Sequence, residues 1–346
     1  MNRLFALGGS LTALAAGFGL LARYVSPHVF WPPAIVALFL PVLLIGTLVY
    51  VLLQLWRRRW RAVVFPVFIL LCSVPILGRL FAWPSAVEKN PEGQPVLQLL
   101  TGNQRFFRSA DQTDADTSRV GSTFRQYGVQ AALLQEIRTV KYPTNYIAEV
   151  NSAAHLGERH QRRGTLIATY GERLTPVSET FLEPNEYNGF IVTDMDSPLG
   201  PVRLINTHMK TNDISHLADE IGSEGSTLGP LTTFGRMLSG YGHAARVRAR
   251  QAEDIRRAVE ESPHPVIVGG DFNDVPSSYT YQRMLTPRLR DAWAVRGSGL
   301  GATFTGPLPG LRIDYFLVDT SLTVVDIERL PSAWSDHRPL RLTVTR

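Results

Sequence analysis

The first 83 residues differ in composition from the rest of the chain, and this difference limits the folds that the chain can adopt. They contain no Asp or Glu, and three apolar runs without a charged residue follow one another: Leu4–Leu21, Ala34–Trp56 and Ala62–Gly78. Each run has about the length that a helix needs to cross a bilayer, roughly 17–25 residues. The sequence therefore predicts an all-α membrane segment of three transmembrane helices over residues 1–83.

Two other interpretations of these runs stay open. Arg3 ahead of an apolar core is also typical of a signal peptide, and the second and third runs could form a buried hairpin in a soluble core. The long run Ala34–Trp56 carries few polar side chains, Thr47 and Gln54, so it lacks the polar face of a helix at a protein surface. Three runs in succession favour an anchor over a cleaved leader.

The basic residues predict an orientation. The cluster Arg57-Arg58-Arg59-Trp60-Arg61 joins the second and third runs, and short basic loops stay on the cytoplasmic side of a membrane. The amino terminus is then cytoplasmic, and everything after Trp83 is extracytoplasmic. We expect a multi-pass protein of the cell membrane whose carboxyl-terminal domain faces outside.

Residues beyond position 83 have a different charge balance. Seven of the 35 basic residues lie in the first 83 positions, which leaves 28 basic and 30 acidic residues, a net charge of −2. The chain's overall charge of +5 therefore does not indicate a basic nucleic-acid surface on this part. Polar and Pro-rich residues at 84–94 predict a linker, so the expected organisation is 1–83 anchor, 84–94 linker and 95–346 soluble domain. The single cysteine, Cys72, excludes an intrachain disulfide.

The soluble part alternates short β-branched runs with helical patterns, which predicts an α/β fold in the form of a two-layered sandwich. The predicted strands are Val96–Leu100, Val129–Leu134, Thr165–Thr169, Phe190–Thr193, Val202–Thr207, Val266–Val268, Ile313–Val318 and Leu340–Val344. The predicted helices are Arg119–Tyr127, Ala244–Glu260 and Tyr279–Leu285. Residues 210–242 lack clear periodicity and are predicted to be a long lid, substrate or membrane-touching loop.

Polar side chains follow several of these strands. After the strand Val266–Val268, two glycines suit a sharp turn that leads to Asp271 and Asn273. A carboxylate and an amide at such a turn suit phosphate ester hydrolysis, because the carboxylate takes a proton from water and the amide holds the water or a phosphate oxygen. Ordinary loop chemistry also explains such a turn, and a strand-end Glu136 or His208 is often structural.

The order of these motifs resembles that of the endonuclease/exonuclease/phosphatase superfamily, which includes deoxyribonuclease I, abasic-site endonucleases, inositol polyphosphate 5-phosphatases and neutral sphingomyelinases. The resemblance spans about residues 96–346. It rests on the motifs Leu134-Gln135-Glu136, Asn206-Thr207-His208, Gly270-Asp271-Phe272-Asn273, Ile313-Asp314-Tyr315 and Ser335-Asp336-His337-Arg338-Pro339. It implies a deoxyribonuclease I-like sandwich and a hydrolase of phosphoric ester bonds that uses Mg²⁺, with Mn²⁺ as the alternative.

The resemblance also implies a metal site. Asn103, Glu136 and Asp336 match the family's metal-facing positions, and oxygen ligands suit a hard cation that keeps several waters.

Five further positions match catalytic ones. Asp271 is then the general base or a second-metal ligand, and Asn273 orients the attacking water or the phosphate. His208 and His337 donate to the phosphoryl oxygens, and Asp314 holds His337 in the required tautomer.

Three departures from the family pattern leave the subfamily open. Gly102 stands where members often have an aromatic residue, and Arg105 stands where abasic-site endonucleases have an acid. No residue in Glu158–Gly164 matches the second acid of deoxyribonuclease I.

The implied enzyme cleaves a phosphodiester, or a phosphomonoester, by metal-assisted in-line attack of water. The substrate is either nucleic acid, which arginines at 159–163 and 246–257 could bind, or a lipid head group, as in sphingomyelinase and phospholipase C. A membrane tether favours a lipid, and the charge of −2 disfavours a polyanion. An inactive membrane scaffold on the same fold is the third interpretation, and the sequence indicates no protein partner.

Overall fold

The computed structural model describes residues 2–83, 93–108, 115–137, 150, 156, 158–161, 166–182, 187–212, 230–306, 310–332 and 334–346. The chain forms two compact units. One comprises Met1–Leu80, Asn212–Arg250 and Asp274–Arg283; the other comprises Phe81–Thr211, Gln251–Asn273 and Met284–Arg346. Most of the residues predicted to form the linker, 84–92, lie outside the described residues, and the predicted division at 83 and 95 stays a prediction.

The first unit begins with apolar helices. These are α1 (Asn2–Leu20), a 3-10 turn (Leu21–Arg23), α2 (Pro32–Ala37), α3 (Leu40–Trp56) and α4 (Trp60–Leu80). The run predicted as one helix over Ala34–Trp56 is thus divided at Leu38 and Phe39. Pro41 lies in the first turn of α3, and a proline there lacks the N–H that a continuous helix would need.

One helix among the described residues, α4, is both long and apolar enough to cross a bilayer, and the apolar helices Leu7–Arg23 and Leu40–Trp56 are shorter. At 1.5 Å per residue, the 17 residues of α3 extend about 25 Å, less than the roughly 30 Å of a bilayer core. The prediction of three transmembrane helices is therefore not supported in that form.

The apolar helices leave much of their hydrophobic surface uncovered. Their contacts with one another bury a small cluster, which comprises Ala16, Leu20, Leu40, Leu44, Ile69, Ile76 and Leu80. The opposite faces of α3 and α4 carry side chains that are 57–70% exposed, namely Val42, Ile45, Leu52, Val64, Phe68 and Leu71. Exposed apolar side chains in this number are unusual for a surface in contact with water alone.

A long helix, α6 (Pro230–Glu260), includes residues 230–242 of the segment that was predicted to be a loop over 210–242. The prediction was wrong from residue 230 onward, and residues 213–229 lie outside the described residues. Within α6, Arg248 is fully buried and Val247 is half-buried. A shorter helix, α7 (Tyr279–Met284), follows later in the chain.

The described strands form two six-stranded sheets. The first has the order β11-β12-β1-β2-β4-β3 and the second has the order β5-β6-β7-β8-β10-β9. The strands are β1 (Leu97–Asn103), β2 (Ala131–Gln135), β3 (Glu158–His160), β4 (Ile167–Gly171), β5 (Leu174–Phe181), β6 (Gly189–Ser197), β7 (Gly200–His208), β8 (Val266–Asp271), β9 (Leu289–Asp291), β10 (Asp314–Asp319), β11 (Thr323–Arg329) and β12 (Leu340–Thr345). Two neighbouring pairs are parallel, β1 with β2 and β7 with β8.

The inner faces of the two sheets share one hydrophobic core. The first sheet contributes Leu99, Leu133 and Leu342, and the second contributes Leu204 and Phe316, all of them buried. Alternation of apolar side chains along each strand places every second residue in this core. The two-sheet α/β architecture agrees with the predicted fold class.

Two helices, α5 (Thr117–Tyr127) and α8 (Ala292–Arg296), belong to the same compact unit as the two sheets. Helix α5 packs Phe124 and neighbouring residues on the outer face of the first sheet. Asp116 begins it, because its side chain accepts a hydrogen bond from the Ser118 N–H at 2.7 Å, and Gly128 ends it in the left-handed conformation. The short α8 begins in the same way at Asp291.

The two glycines before Asp271 have a different role from the predicted one. Gly269 and Gly270 lie within β8 rather than in a turn after it. A Cβ atom on Gly269 would press on the Phe316 ring, and one on Gly270 would overlap the backbone of Thr207 in the neighbouring strand. Close packing of β8 therefore requires glycine at both positions.

Candidate active site

Three polar residues lie side by side where neighbouring strands of the second sheet end or begin. His208 ends β7 and Asp271 ends β8, and the two residues are paired in the parallel register. Asp314 begins β10 and is paired with Asp271 from the other side. The strand register alone thus places one imidazole and two carboxylates at one edge of the sheet.

The first sheet contributes Asn103 at the end of β1 and Glu136 immediately after β2. The Asn103 amide Nδ2 donates to Glu136 Oε1 at 2.9 Å and to Asp271 Oδ2 at 3.2 Å. Its Oδ1 accepts from the Arg105 N–H at 3.0 Å. Asn103 therefore links the acids of the two sheets, and in this orientation its nitrogen, not its oxygen, faces them.

Asn273 is held tightly beside Asp271. Its backbone N–H donates to Asp271 Oδ1 at 2.8 Å, and its side-chain Nδ2 donates to Asp271 Oδ2 at 3.2 Å and to the Met209 carbonyl at 3.0 Å. The φ angle of Asn273 is +51°, and that of Glu136 is +53°. Left-handed backbone at non-glycine residues costs free energy and concentrates at functional sites.

His337 forms a buried pair with Asp314. Its Nδ1 lies 2.9 Å from Asp314 Oδ2, and its Nε2 lies 3.9 Å from Asp271 Oδ2. Burial opposes protonation of the ring, but the carboxylates of Asp314 and Asp271 outweigh it and raise the pKa of His337 to about 10. His337 is therefore a cation at neutral pH, with Nε2 directed towards Asp271.

His208 is also buried, but its charge state differs. Its Nε2 lies 3.7 Å from Asp271 Oδ2 and 3.8 Å from Glu136 Oε1. Burial lowers the pKa of His208, although the Asp271 carboxylate and a hydrogen bond with the Tyr187 backbone oppose this. The ring is therefore neutral at pH 7, and its Nε2 lies close to the acids of the site.

Two of the acids hold protons more strongly than usual. Burial is the main cause for Asp271, and it raises the pKa of this carboxyl to about 6 despite the opposing charge of His337. Burial also raises the pKa of Glu136, while the Asn103 hydrogen bond partly opposes it. A buried carboxyl group whose pKa is raised towards 7 suits the role of a general base.

The donor set fits a divalent cation. Ligand atoms of Asp271, Asp314 and His337 lie within 4.8 Å of one another; the two carboxylates can bind a cation, whereas the protonated ring of His337 cannot. Asn103 donates to both Glu136 and Asp271. Asp314 Oδ1 is buried without a hydrogen-bond partner among the described residues. Several acids in so small a volume repel one another, and hard cations with oxygen ligands relieve this repulsion.

Asp336 is less buried than the other two aspartates of the candidate site. Its side chain is half-buried and acts electrostatically on Glu136 and His337. Its backbone carbonyl accepts from the Thr305 N–H and hydroxyl, both at 2.8 Å. Arg105, one of the three departures from the family pattern, acts on Glu136 as a nearby positive charge. The structure thus brings all eight predicted positions into one region of one unit.

Four residues that we had not assigned to the site support it. Gln135 donates to Asn206 Oδ1 at 2.7 Å, and Asn206 donates to the Ala168 carbonyl at 2.9 Å, which joins the two sheets beneath Glu136 and His208. The Ser335 hydroxyl donates to the Asn103 carbonyl at 2.7 Å and accepts from the His337 N–H at 3.0 Å. The Thr303 hydroxyl accepts from the Asp314 N–H at 3.1 Å. Gln135, Asn206 and Ser335 stand within the quoted motifs; Thr303 had no such signal.

A family model provides the decisive comparison. The model of the endonuclease/exonuclease/phosphatase family matches residues 100–337, which is more than half of the chain and includes all eight site positions. The chain belongs to the endonuclease/exonuclease/phosphatase family. A model of a domain of unknown function, DUF8431, matches residues 2–80 of this family member. The search of curated proteins found no match.

The comparison with solved structures found several matches of low sequence identity. The endonuclease/exonuclease/phosphatase from Beutenbergia cavernae is 18% identical, and the match covers 73% of this chain and 72% of that one with a TM-score of 0.49. The corresponding Bacteroides vulgatus protein is 17% identical, with 72% and 98% covered and a TM-score of 0.47. D. rerio TDP2 complexed with a single strand DNA product is 12% identical, with 72% and 99% covered and a TM-score of 0.49.

Proposed function

We propose that this protein is a divalent-metal-dependent phosphoesterase, held at a membrane by its amino-terminal helices, that hydrolyses a phosphodiester by in-line attack of water. The observation that carries the proposal is the pairing of a buried carboxylate of raised pKa, Asp271, with a buried cation, His337, at a distance of 3.9 Å. A base and a cation so close together suit deprotonation of water next to a developing negative charge.

Each protein group has a specific part in the proposed reaction. The ionised Asp271 takes a proton from the attacking water, and the Asn273 amide fixes the carboxylate and the water. His337, kept protonated by Asp314, donates through Nε2 to a phosphoryl oxygen. His208 donates its ring N–H to a second phosphoryl oxygen.

The proposed cofactor is Mg²⁺, with Mn²⁺ as the alternative. Glu136 and Asp336 would hold it, together with Asn103 if its amide turns its oxygen towards the cation. When bound, the cation supplies positive charge that polarises the phosphoryl group.

The exposed faces of α3 and α4 support the proposed membrane attachment, because side chains such as Ile45 and Leu71, each 64% exposed, have a favourable environment in lipid. The basic cluster between these helices supports a cytoplasmic loop and hence an extracytoplasmic catalytic domain. A reporter fused to the carboxyl terminus tests this orientation. Activity of a reporter that functions only in the cytoplasm would contradict it.

We propose a lipid head group as the substrate. A tether raises the effective concentration of lipid at the site, and the net charge of −2 beyond residue 83 provides little of the phosphate contact on which nucleic-acid affinity depends. The nuclease alternative is an outcome of the same experiment.

The test compares two substrates with full-length protein purified in detergent. Mixed phospholipid and sphingolipid micelles are incubated in one series and plasmid DNA in another, each with and without Mg²⁺. The blank is Asp271→Asn, which keeps the side-chain shape but removes the base, so its turnover is expected to fall by roughly 10²–10⁴.

Each outcome leads to a different conclusion. Release of phosphorylated head group that needs Mg²⁺ and disappears in the variant supports a lipid phosphodiesterase. Nicking of the plasmid under the same conditions supports an exported nuclease instead. Hydrolysis of neither substrate, or equal rates in Asp271→Asn, would contradict the proposed function.

A further inference from the structure

A single buried arginine contacts the two segments that follow the neighbouring strands β7 and β8. The side chain of Arg248, in α6, is fully buried. Its Nε donates to Asp274 Oδ2 at 3.1 Å, and its Nη1 donates to Asn212 Oδ1 at 2.5 Å. One guanidinium group therefore binds a residue from each segment.

Both segments begin with residues of the candidate active site. Asn212 is the fourth residue after His208, and Asp274 directly follows Asn273. The planar guanidinium presents several donors in a fixed arrangement, so it can restrain two acceptors relative to each other, which a lysine ammonium does less well. The position of Asp274 in turn restrains the backbone of Asn273, because only one peptide bond separates them.

The amino-terminal region supports this arrangement through α2. Tyr241 stacks beneath Arg248, with the guanidinium carbon 5.4 Å from the ring centre, and its hydroxyl donates to the Ala34 carbonyl at 3.0 Å. The Ser277 hydroxyl, three residues after Asp274, donates to the Ala37 carbonyl at 2.9 Å. All of these residues belong to the same compact unit, so the helix α2 forms part of the packing around Arg248.

We propose that Arg248 is a positioning residue for the hydrolytic site and that α2, which lies outside the family match at residues 100–337, supports it. The amino-terminal region then contributes to catalysis in addition to any membrane attachment. This inference rests on the proposed phosphoesterase activity. Its physical basis is that a displacement of about 1 Å in a catalytic group can cost about 10²-fold in rate.

The alternative is that the ion pair of Arg248 and Asp274 only stabilises the fold. The two roles make different predictions for Asp274→Asn, which keeps the shape of the side chain but removes its charge, and for Arg248→Lys, which keeps the charge but loses the planar arrangement of donors. A positioning role predicts that kcat falls by roughly 10- to 100-fold while KM changes little. A purely structural role predicts a lower melting temperature with kcat unchanged in the folded fraction.

Asp194→Asn is the matched control. Asp194 forms a bidentate ion pair with Arg203, at 2.8 and 2.9 Å, on the hairpin of β6 and β7. This substitution should lower the melting temperature without changing kcat. Tyr241→Phe removes the hydroxyl group that contacts α2, and we expect kcat to fall by about two- to tenfold, the equivalent of one hydrogen bond.

Hydrogen exchange gives a readout that does not depend on activity. In Arg248→Lys, the peptides that contain residues 208–212 and 271–275 should both exchange faster, while the hairpin of β6 and β7 is unchanged. Should this variant fail to fold, the same measurement on Asp274→Asn decides the question.

The outcomes distinguish a failure of the positioning role of Arg248 from a failure of the proposed phosphoesterase function. Unchanged kcat in both variants, or faster exchange in only one of the two peptides, would overturn the positioning role. If the wild-type protein hydrolyses no phosphoester but both peptides respond together, the restraint by Arg248 stands and the proposed function fails.

Discussion

The carboxylate of Asp314 lies 2.9 Å from Nδ1 of His337, and both side chains are buried. Because Asp314 and Asp271 are paired across β10 and β8, the same strand register that brings the two acids together also fixes the partner of the histidine.

This relationship leads to a prediction for Asp314→Asn. The amide preserves the shape but removes the charge that favours the protonated ring, so the pKa of His337 falls and fewer molecules carry the cation at neutral pH. We expect turnover to fall by about 10²-fold, in line with the loss of an electrostatic donor. Steady-state kinetics at pH 7 measure this. Asp319→Asn, at the other end of β10, is the control and should leave turnover unchanged.

Removal of either histidine tests the predicted donors separately. His208→Ala and His337→Ala should each lower turnover by on the order of 10²–10³, as losses of single oxyanion donors do. His264→Ala, a partly exposed histidine outside the site, is the control. Wild-type turnover in either site variant would show that the assignment of these residues is wrong.

His160 leads to a prediction for stability at acid pH. Its Nδ1 lies 2.6 Å from the Thr193 hydroxyl, and burial lowers its pKa, although Glu179 opposes the effect. The unfolded chain therefore binds a proton near the ordinary histidine pKa of about 6.5, whereas the folded chain does so only at lower pH. The contribution to stability is complete above pH 6.5 and is lost as the pH falls below it.

We expect His160→Gln to reduce this loss of stability. Melting temperatures measured between pH 5 and 8 should fall less steeply on the acid side in the variant than in the wild type. His243→Gln, at an exposed position, is the control. If the slopes of wild type and His160→Gln are the same, His160 does not contribute to the acid sensitivity.

The close packing of β8 predicts that Gly270→Ala is destabilising. Its φ of +145° is unfavourable for other residues, and a Cβ atom would overlap the Thr207 backbone, so the strands must separate. We expect a loss of about 1–3 kcal/mol or more in the free energy of unfolding, measured by denaturant titration. Gly235→Ala, in α6 with open space around it, should be neutral or slightly stabilising.

Sequence patterns predicted the strands that carry the site, because Val266–Val268 and its counterparts are short, β-branched and buried. They did not predict β5, a strand whose side chains are largely exposed and which contains Pro176. An exposed edge strand has no apolar face, so the alternation that identifies a strand is missing.

Burial of charged residues was also not predictable. The arginines at 246–257 suggested a surface that could bind nucleic acid, and only the contacts of Arg248 with Asp274 and Asn212 show why one of them is buried. Likewise, the sequence suggested Asn103 as an oxygen ligand, whereas the Arg105 N–H binds that oxygen. The burial of Arg248 depends on neighbours that are distant in sequence, and the orientation of Asn103 depends on an unusual local backbone.

The position of β12 between β11 and β1 has a consequence for synthesis of the protein. Leu97 at the start of β1 is paired with Val344, so the first sheet cannot close until residues 340–345 have left the ribosome. Because β1 and β2 carry Asn103 and Glu136, the sheet that holds these two site positions stays incomplete until β12 has been synthesised.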